Sequence, residues 1–333
     1  METTSRPAPL VIAHRGASGY RPEHSKAAYE LALNMGVDAV EPDIVATRDG
    51  VLVLRHENEI SGTTDVAEHP EFADRRTSKV IDGTKHTGWF TEDFTWAELS
   101  VLRVKERLPK LRSRAFDGDE VILRFTDLLD LLDARGNVGM VAEIKHATYF
   151  ESIGLPLDEL VAAELRAAGW GSDSRLTVES FETRVLGQLR DRGIGARSVF
   201  LLESSGAPAD EVAAHGATGK RFADYLTDQG LAELAESGID GISVDKRMLL
   251  VADAAGRVTG TTDLVQRAHA AGLIVFCWTL RAENHFLAKN FREGGGAKEY
   301  GAWHDEYQLI MRSGLDGVFA DQPDLAIEAR SAL

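Results

Sequence analysis

A helix that stops at glycine, followed at once by a short apolar run, recurs along this 333-residue chain. Gly36 stands before VDAVEPD, Gly136 before NVGMVAEIK, Gly169 before GSDSRLTVES and Gly193 before IGARSVFLLE. Gly238 precedes IDGISVD, Gly272 precedes LIVFCWT and Gly314 precedes LDGVFAD. Glycine ends a helix in the left-handed conformation because it has no Cβ to clash. The runs that follow are rich in Val, Ile and Leu, as strands covered on both faces are. With the opening run PLVIAH they make eight strands, separated by helical segments such as LDELVAAELRAAG and TDLVQRAHAAG. Eight alternating strand–helix units predict a (β/α)8 TIM barrel rather than an open sheet.

One stretch breaks the rhythm. RDGVLVLRHEN reads as an Asp-Gly turn into an alternating strand, and residues 57–121 then intervene before the barrel helix FTDLLDLLDARG. The insertion carries TGWFTEDFTW, and Thr95 with Glu98 forms the capping-box pattern of a helix start. An aromatic-rich insertion after the second strand and its hairpin is expected to be a small subdomain leaning over the barrel mouth, within one domain spanning 1–333.

Charge and composition narrow the partners. Asp and Glu number 53 against 37 Lys and Arg, a net −16, which repels nucleic acid and anionic membranes. Any bound anion must therefore meet a local basic cluster. No apolar run approaches a membrane span, and METTSRPAPL lacks the basic start and apolar core of a secretory signal. The chain as read fits a soluble cytoplasmic protein, or a secreted or periplasmic one whose signal was removed. Its single cysteine, Cys277, cannot form an internal disulfide.

In such a barrel the reaction site lies at the C-terminal ends of the strands. Those ends carry His14-Arg15, then Glu41 and Asp43, then Glu143 and Lys145, with Arg55-His56 ending the hairpin. By strand alternation Glu41 and Asp43 share a face, as do Glu143 and Lys145. Pro42 between the first two lacks a ladder donor, so the strand is expected to fray or bulge there. Adjacent buried carboxylates need a cation, a shared proton or a basic partner. With Glu143 from the next strand they form an all-oxygen set suited to one Ca2+ or Mg2+. His14 and His56 converge on the same mouth as a general acid–base pair, and Arg15 and Lys145 supply positive charge. The combination suits phosphoryl transfer.

Plainer roles compete with each of these. A salt bridge to Arg15 or Arg55 would also explain Glu41 and Asp43, and Lys145 can simply neutralise Glu143. Ser180, Phe181 and Trp278 are packing residues by default, with substrate contact as the second reading. Asp245 and Asp321 read as caps, and the remaining histidines as solvated or structural.

The ordered set HRG, PEHS, ExD, DG, H, ExK, SF, W and DGVFAD, from Val11 to about Pro323, resembles the glycerophosphodiester phosphodiesterases. The long segment from GTTDVAEHPEF to FTWAEL, together with WTLRAENHFL, is similar to the longer bacterial and plant subgroup. The resemblance implies a metal-dependent hydrolase that releases glycerol 3-phosphate and an alcohol through a cyclic phosphate. It implies His14 and His56 as the catalytic pair and Arg15 and Lys145 as phosphate contacts. Glu41, Asp43 and Glu143 would be the ligands of the divalent cation. The partner implied is a small glycerophosphodiester, with no nucleic acid and no stable membrane insertion.

His24 replaces the usual asparagine of that pattern, and Glu57 stands where many members have aspartate. His24 and the segment KHATYFESIGLP are expected to reshape the alcohol pocket. Two other activities fit parts of the pattern. A phospholipase D-like enzyme acting on lysophospholipids would need an apolar groove, which the aromatic insertion could supply. A Schiff-base aldolase would use Lys145 as its nucleophile.

Overall fold

The computed structural model describes residues 7–333. Its first strands are β1 (Leu10–His14), β2 (Ala39–Glu41), β3 (Asp43–Ala46), β4 (Leu52–Leu54), β5 (Thr77–Ile81), β6 (Thr84–Gly88) and β7 (Gly139–Ile144). There follow β8 (Leu176–Ser180), β9 (Arg197–Leu202), β10 (Gly241–Asp245), β11 (Leu250–Ala252), β12 (Val258–Thr261), β13 (Ile274–Leu280) and β14 (Gly317–Ala320). Parallel pairing runs from β1 through β14, β13, β10, β9, β8 and β7 to β3, and β2 bonds both β7 and β1. The ring therefore closes. Counting the split β2/β3 once, it is an eight-stranded parallel barrel with helices outside, the expected (β/α)8 architecture.

The seven helix-ending glycines read from the sequence all have φ between 78° and 87°. Gly16 is constrained differently: a Cβ there would sit 2.7 Å from the backbone carbon of Ala28, in the first helix, Lys26–Met35. The GASGY turn is thus packed tightly against that helix. Ser25 caps the helix, accepting from the Ala28 N–H at 3.1 Å. Pro42 interrupts the second strand as expected, and the Glu143 N–H bonds the Pro42 carbonyl at 2.9 Å across the break.

Strand alternation divides the core in two. Val11, Val40, Ala142 and Val178 face outward into the large apolar layer beneath the helices. Ile12, Ala39, Val141, Val199, Phe276 and Phe319 point inward and fill the barrel as a separate apolar cluster. Burying a side chain such as Phe276 contributes roughly 2–3 kcal/mol, so this plug is a firm floor. Two residues further along the same strands stand His14, Glu41, Glu143, Trp278 and Asp321. The period of two places a largely polar ring directly on an apolar floor.

One expectation about the surroundings needs correction, that for the segment after β7. The aromatics of residues 57–121 do not line the mouth: Trp89, Phe90 and Phe94 are buried, and the Trp89 indole N–H bonds the Phe72 carbonyl. Apolar rings avoid water more effectively in the packed layer than at an open rim. The segment after β7 is a short helix, Ala147–Ser152, rather than a loop over the pocket. Its Tyr149 hydroxyl donates to Glu92 at 2.6 Å, so it braces the insertion. The capping box at Thr95 and Glu98 is present.

Candidate active site

Glu41 and Asp43 arrive from the two halves of the split strand, and Glu143 from β7, where it registers against Asp43. One oxygen from each lies within 4.8 Å of the others. Glu41 Oε2 accepts from the Arg15 N–H at 2.9 Å, while its Oε1 is buried without a partner. Asp43 Oδ2 is held by His24 Nε2 at 2.9 Å and Arg15 Nε at 3.1 Å, while its Oδ1 has no hydrogen-bond partner. Burial raises the Glu143 carboxyl to about 8, with Asp43 adding to this and Lys145 opposing it. Glu41 is likewise raised by burial and by Asp43. Burial would raise Asp43 too, but Lys145, His56 and Arg15 hold it well below the usual range.

Three converging carboxylates, with two orphaned buried oxygens among them, are poorly solvated unless a cation joins them. The donor set is all oxygen and fits Ca2+ or Mg2+.

The two histidines come from opposite directions. His14 ends β1, and its Nδ1 lies 2.6 Å from Asp321 Oδ1, just beyond the neighbouring strand β14. Asp321 Oδ2 accepts from Arg112 and Arg281, each at 2.7 Å. His56 follows β4, and its Nδ1 lies 2.5 Å from Glu57 Oε1. Arg107 clamps Glu57 with two bonds and Glu23 with two more. A ring whose Nδ1 is bonded to a carboxylate is fixed in orientation and tautomer, which leaves Nε2 for proton transfer. Burial and Arg15 lower His14 to about 4. Burial, Arg15 and Lys145 lower His56 to about 3.

Arg15 has φ 60°, and its guanidinium pairs with Glu23 and Asp43. It lines a cavity of about 820 Å³ with His14, Glu41, His56 and Glu143. Lys145 stands behind that wall, its Nζ 2.7 Å from Glu143 and 3.6 Å from Asp43. Those anions outweigh burial and keep it an ammonium, which is no nucleophile. The aldolase mechanism is therefore disfavoured. Phe181 and Trp278 line the cavity and meet edge to face at 6.0 Å.

Ser180 is not brought to the cavity. Its hydroxyl donates to the Ile144 carbonyl at 2.9 Å and receives the Glu182 N–H, which locks the end of β8. The inward residue there is its neighbour Glu179, registered against Glu143. His24 is also absent from the wall. It is fully buried, bonded to Asp43 and to the Tyr29 hydroxyl, so it supports a carboxylate and does not shape the alcohol pocket.

Sequence reasoning missed the second layer: Asp321, Glu57, Arg107, Arg112 and Arg281. Asp321 was visible as a strand end, and the adjacency of first and last barrel strands was the signal that could have paired it with His14. Arg107 and Arg112 lie in the irregular insertion and carry no such signal.

No helix of the described residues is long and apolar enough to cross a membrane. Among known proteins, the chain is 31% identical to glycerophosphodiester phosphodiesterase GDPD6 of Arabidopsis thaliana, over 96% of this chain and 84% of that one. A phosphodiesterase of Oleispira antarctica, solved with the product sn-glycerol-3-phosphate, superposes with a TM-score of 0.65 at 19% identity, covering 97% of each chain. A glycerophosphodiester phosphodiesterase of Agrobacterium tumefaciens superposes at 0.58 with 18% identity, over 96% of this chain and 99% of that one. These two structures speak for the fold. Residues 14–325 match the glycerophosphoryl diester phosphodiesterase family; with that match running from His14 past Asp321, the chain belongs to this family.

Proposed function

We propose that this protein hydrolyses glycerophosphodiesters to glycerol 3-phosphate and an alcohol, using His14 and His56 as its proton carriers. One observation carries this: two histidines, each tethered at Nδ1 by a carboxylate, face one cavity with three clustered carboxylates and Arg15. Glu41, Asp43 and Glu143 would hold a Ca2+ or Mg2+, which supplies positive charge to the phosphoryl oxygens. Arg15 on the wall, and Lys145 behind Glu143, add positive charge that binds and orients the phosphate.

One histidine accepts the proton of the glycerol 2-hydroxyl as that oxygen bonds to phosphorus. The other enters this step protonated, its charge balanced by its tethering carboxylate, and gives its Nε2 proton to the departing alcohol oxygen as the P–O bond breaks. The product is a cyclic phosphate, which water opens with the proton movements reversed. Asp321 and Glu57 stabilise each ring while it carries the extra proton.

The rival activity on lysophospholipids called for an apolar groove from the aromatic insertion, whose rings are buried elsewhere; the apolar part of the cavity comes instead from residues such as Leu250, Val258 and Phe286, so lysophospholipids belong in the test. The test is release of the alcohol from a panel of glycerophosphodiesters and lysophospholipids, with EDTA, Ca2+ or Mg2+. Activity on the diesters should vanish in EDTA and return with one of the two ions. Undiminished turnover in EDTA would exclude the metal role. Turnover of lysophospholipids alone would replace the substrate class.

A further inference from the structure

The cavity extends well past the carboxylates. Its outer wall is made by the β11–β12 hairpin and by residues 281–292, which leave the end of β13. The two pieces are joined: Asn290 accepts from the Val258 N–H at 2.8 Å and donates to the Val258 carbonyl at 3.2 Å. Leu250, Val258 and Phe286 give this wall an apolar surface, and exposed charges set beside apolar surface are less screened than in open water.

The cations on the cavity wall fall into two groups. Arg15 pairs with Glu23, Arg281 with Asp321, Lys246 with Glu306 and Arg247 with Asp245. Lys289 and Arg292 differ. Lys289 Nζ rests on the Ala255 carbonyl at 3.0 Å and Arg292 Nε on the Leu287 carbonyl at 2.8 Å. Among the described residues neither has a carboxylate within ion-pair distance. In a chain of net charge −16, two un-neutralised cations on the wall of the reaction cavity stand out from the other cations lining it. Carbonyl contacts orient both side chains without cancelling their charge.

We propose that this outer wall is a subsite for leaving alcohols that carry a negative charge, held by Lys289 and Arg292. The proposal rests on the phosphodiesterase reading and narrows its substrate class to diesters whose alcohol bears a further anion, such as a second phosphate. The paired cations complete the surroundings, and the apolar strip accommodates the carbon chain between the two anions.

The experiment compares kcat/KM for glycerophosphoglycerol, for the same diester with a phosphate on its far glycerol, and for glycerophosphocholine. The phosphorylated diester should be favoured over the neutral one by about tenfold, since an exposed charge pair gives a factor of roughly two to five and there are two. The choline diester should be the poorest, and the preference should shrink in high salt. The double variant Lys289→Gln with Arg292→Gln should bring the charged and neutral diesters to parity while leaving kcat/KM for glycerophosphoglycerol unchanged. That last value also reports that the variant is folded. Equal rates on charged and neutral diesters in the native protein would overturn the subsite, as would a preference that survives the double substitution. Release of glycerol 3-phosphate from none of the three would instead overturn the underlying phosphodiesterase reading, and the subsite with it.

Discussion

His14 and His56 present the same chemistry to the cavity but are held by different parts of the fold. His14 is tied to Asp321, which lies 307 positions away in sequence and becomes its neighbour only when the first and last strands close the barrel. Two arginines share that carboxylate, whose side chain is 2% exposed. His56 is tied to the next residue, Glu57, whose side chain is 32% exposed and is clamped by Arg107 alone. One histidine is oriented by global topology in a dry setting, the other by a local contact in a wet one. Water and salt can substitute for a contact of the second kind but have little access to the first. The His14 side should therefore be the rigid member of the pair and the His56 side the adaptable one.

The largest test removes the rings themselves. His14→Gln and His56→Gln should each lower kcat by about a thousandfold, within the range that positioned acid–base groups supply, with the fold retained by circular dichroism. Turnover near the native rate in either variant would remove that histidine from the mechanism. Next comes the tether that the comparison ranks as more important. Asp321→Asn keeps the shape but swaps an anion for an amide, which favours the wrong tautomer and no longer stabilises a protonated ring. A loss of about a hundred- to a thousandfold in kcat is expected, with KM little changed. Breaking a buried ion pair also costs stability, so melting should be followed on the same samples.

Burial predicts a pH effect on stability at His14, alongside a like one at His56. His14 is lowered to about 4 in the folded protein, against 6.5 for an unperturbed ring. Between those values the unfolded chain binds a proton that the folded one refuses. Stability is thus full above pH 6.5 and is lost as pH falls through 4. The contribution is about 3 kcal/mol. Denaturant unfolding at pH 7 and pH 4 should show native protein losing that much more than His14→Gln, in which no group titrates at this position. Parallel losses would show that the ring can be protonated in place.

The residues that the sequence exposed and those it concealed follow the same division between local and global. The barrel was legible because each strand is announced by its helix-ending glycine, and the inner ring because strands alternate. Glu41, Asp43, Glu143 and His14 follow from those two periodicities, and His56 from the Asp-Gly hairpin beside them. Alternation also argued against Ser180, since Glu179 and Ser180 are adjacent and only one can face inward; Glu179, opposite Glu143, is the one that does. Asp321 needed knowledge of which strands touch, a property of the closed ring and not of any local segment. Arg107 and Arg112 lie in a stretch of turns without periodicity, so nothing near them in sequence indicates the direction of their side chains. His24 looked like a pocket residue because it sits beside the motif, yet its φ of 56° helps place it beneath Asp43.

The smallest expected effect is the one that would most sharpen the contrast. Glu57→Gln removes the charge from the exposed tether but keeps a group that can accept from His56 Nδ1. Arg107 remains anchored on Glu23 through its Nε and Nη2, so the clamp should stay in place and the fold should not suffer. His56 then loses one anion from its surroundings while water still reaches the ring. A fall of about tenfold in kcat is expected, comparable to losing one charge-assisted hydrogen bond of roughly 1.5 kcal/mol. Since the native contact is already partly screened, raising the ionic strength should lower the native rate toward that of Glu57→Gln, whereas Asp321→Asn should keep its ratio to native in any salt. A loss at Glu57 as deep as that at Asp321 would mean that the local tether is as rigid as the global one, and the asymmetry between the two histidines would fall.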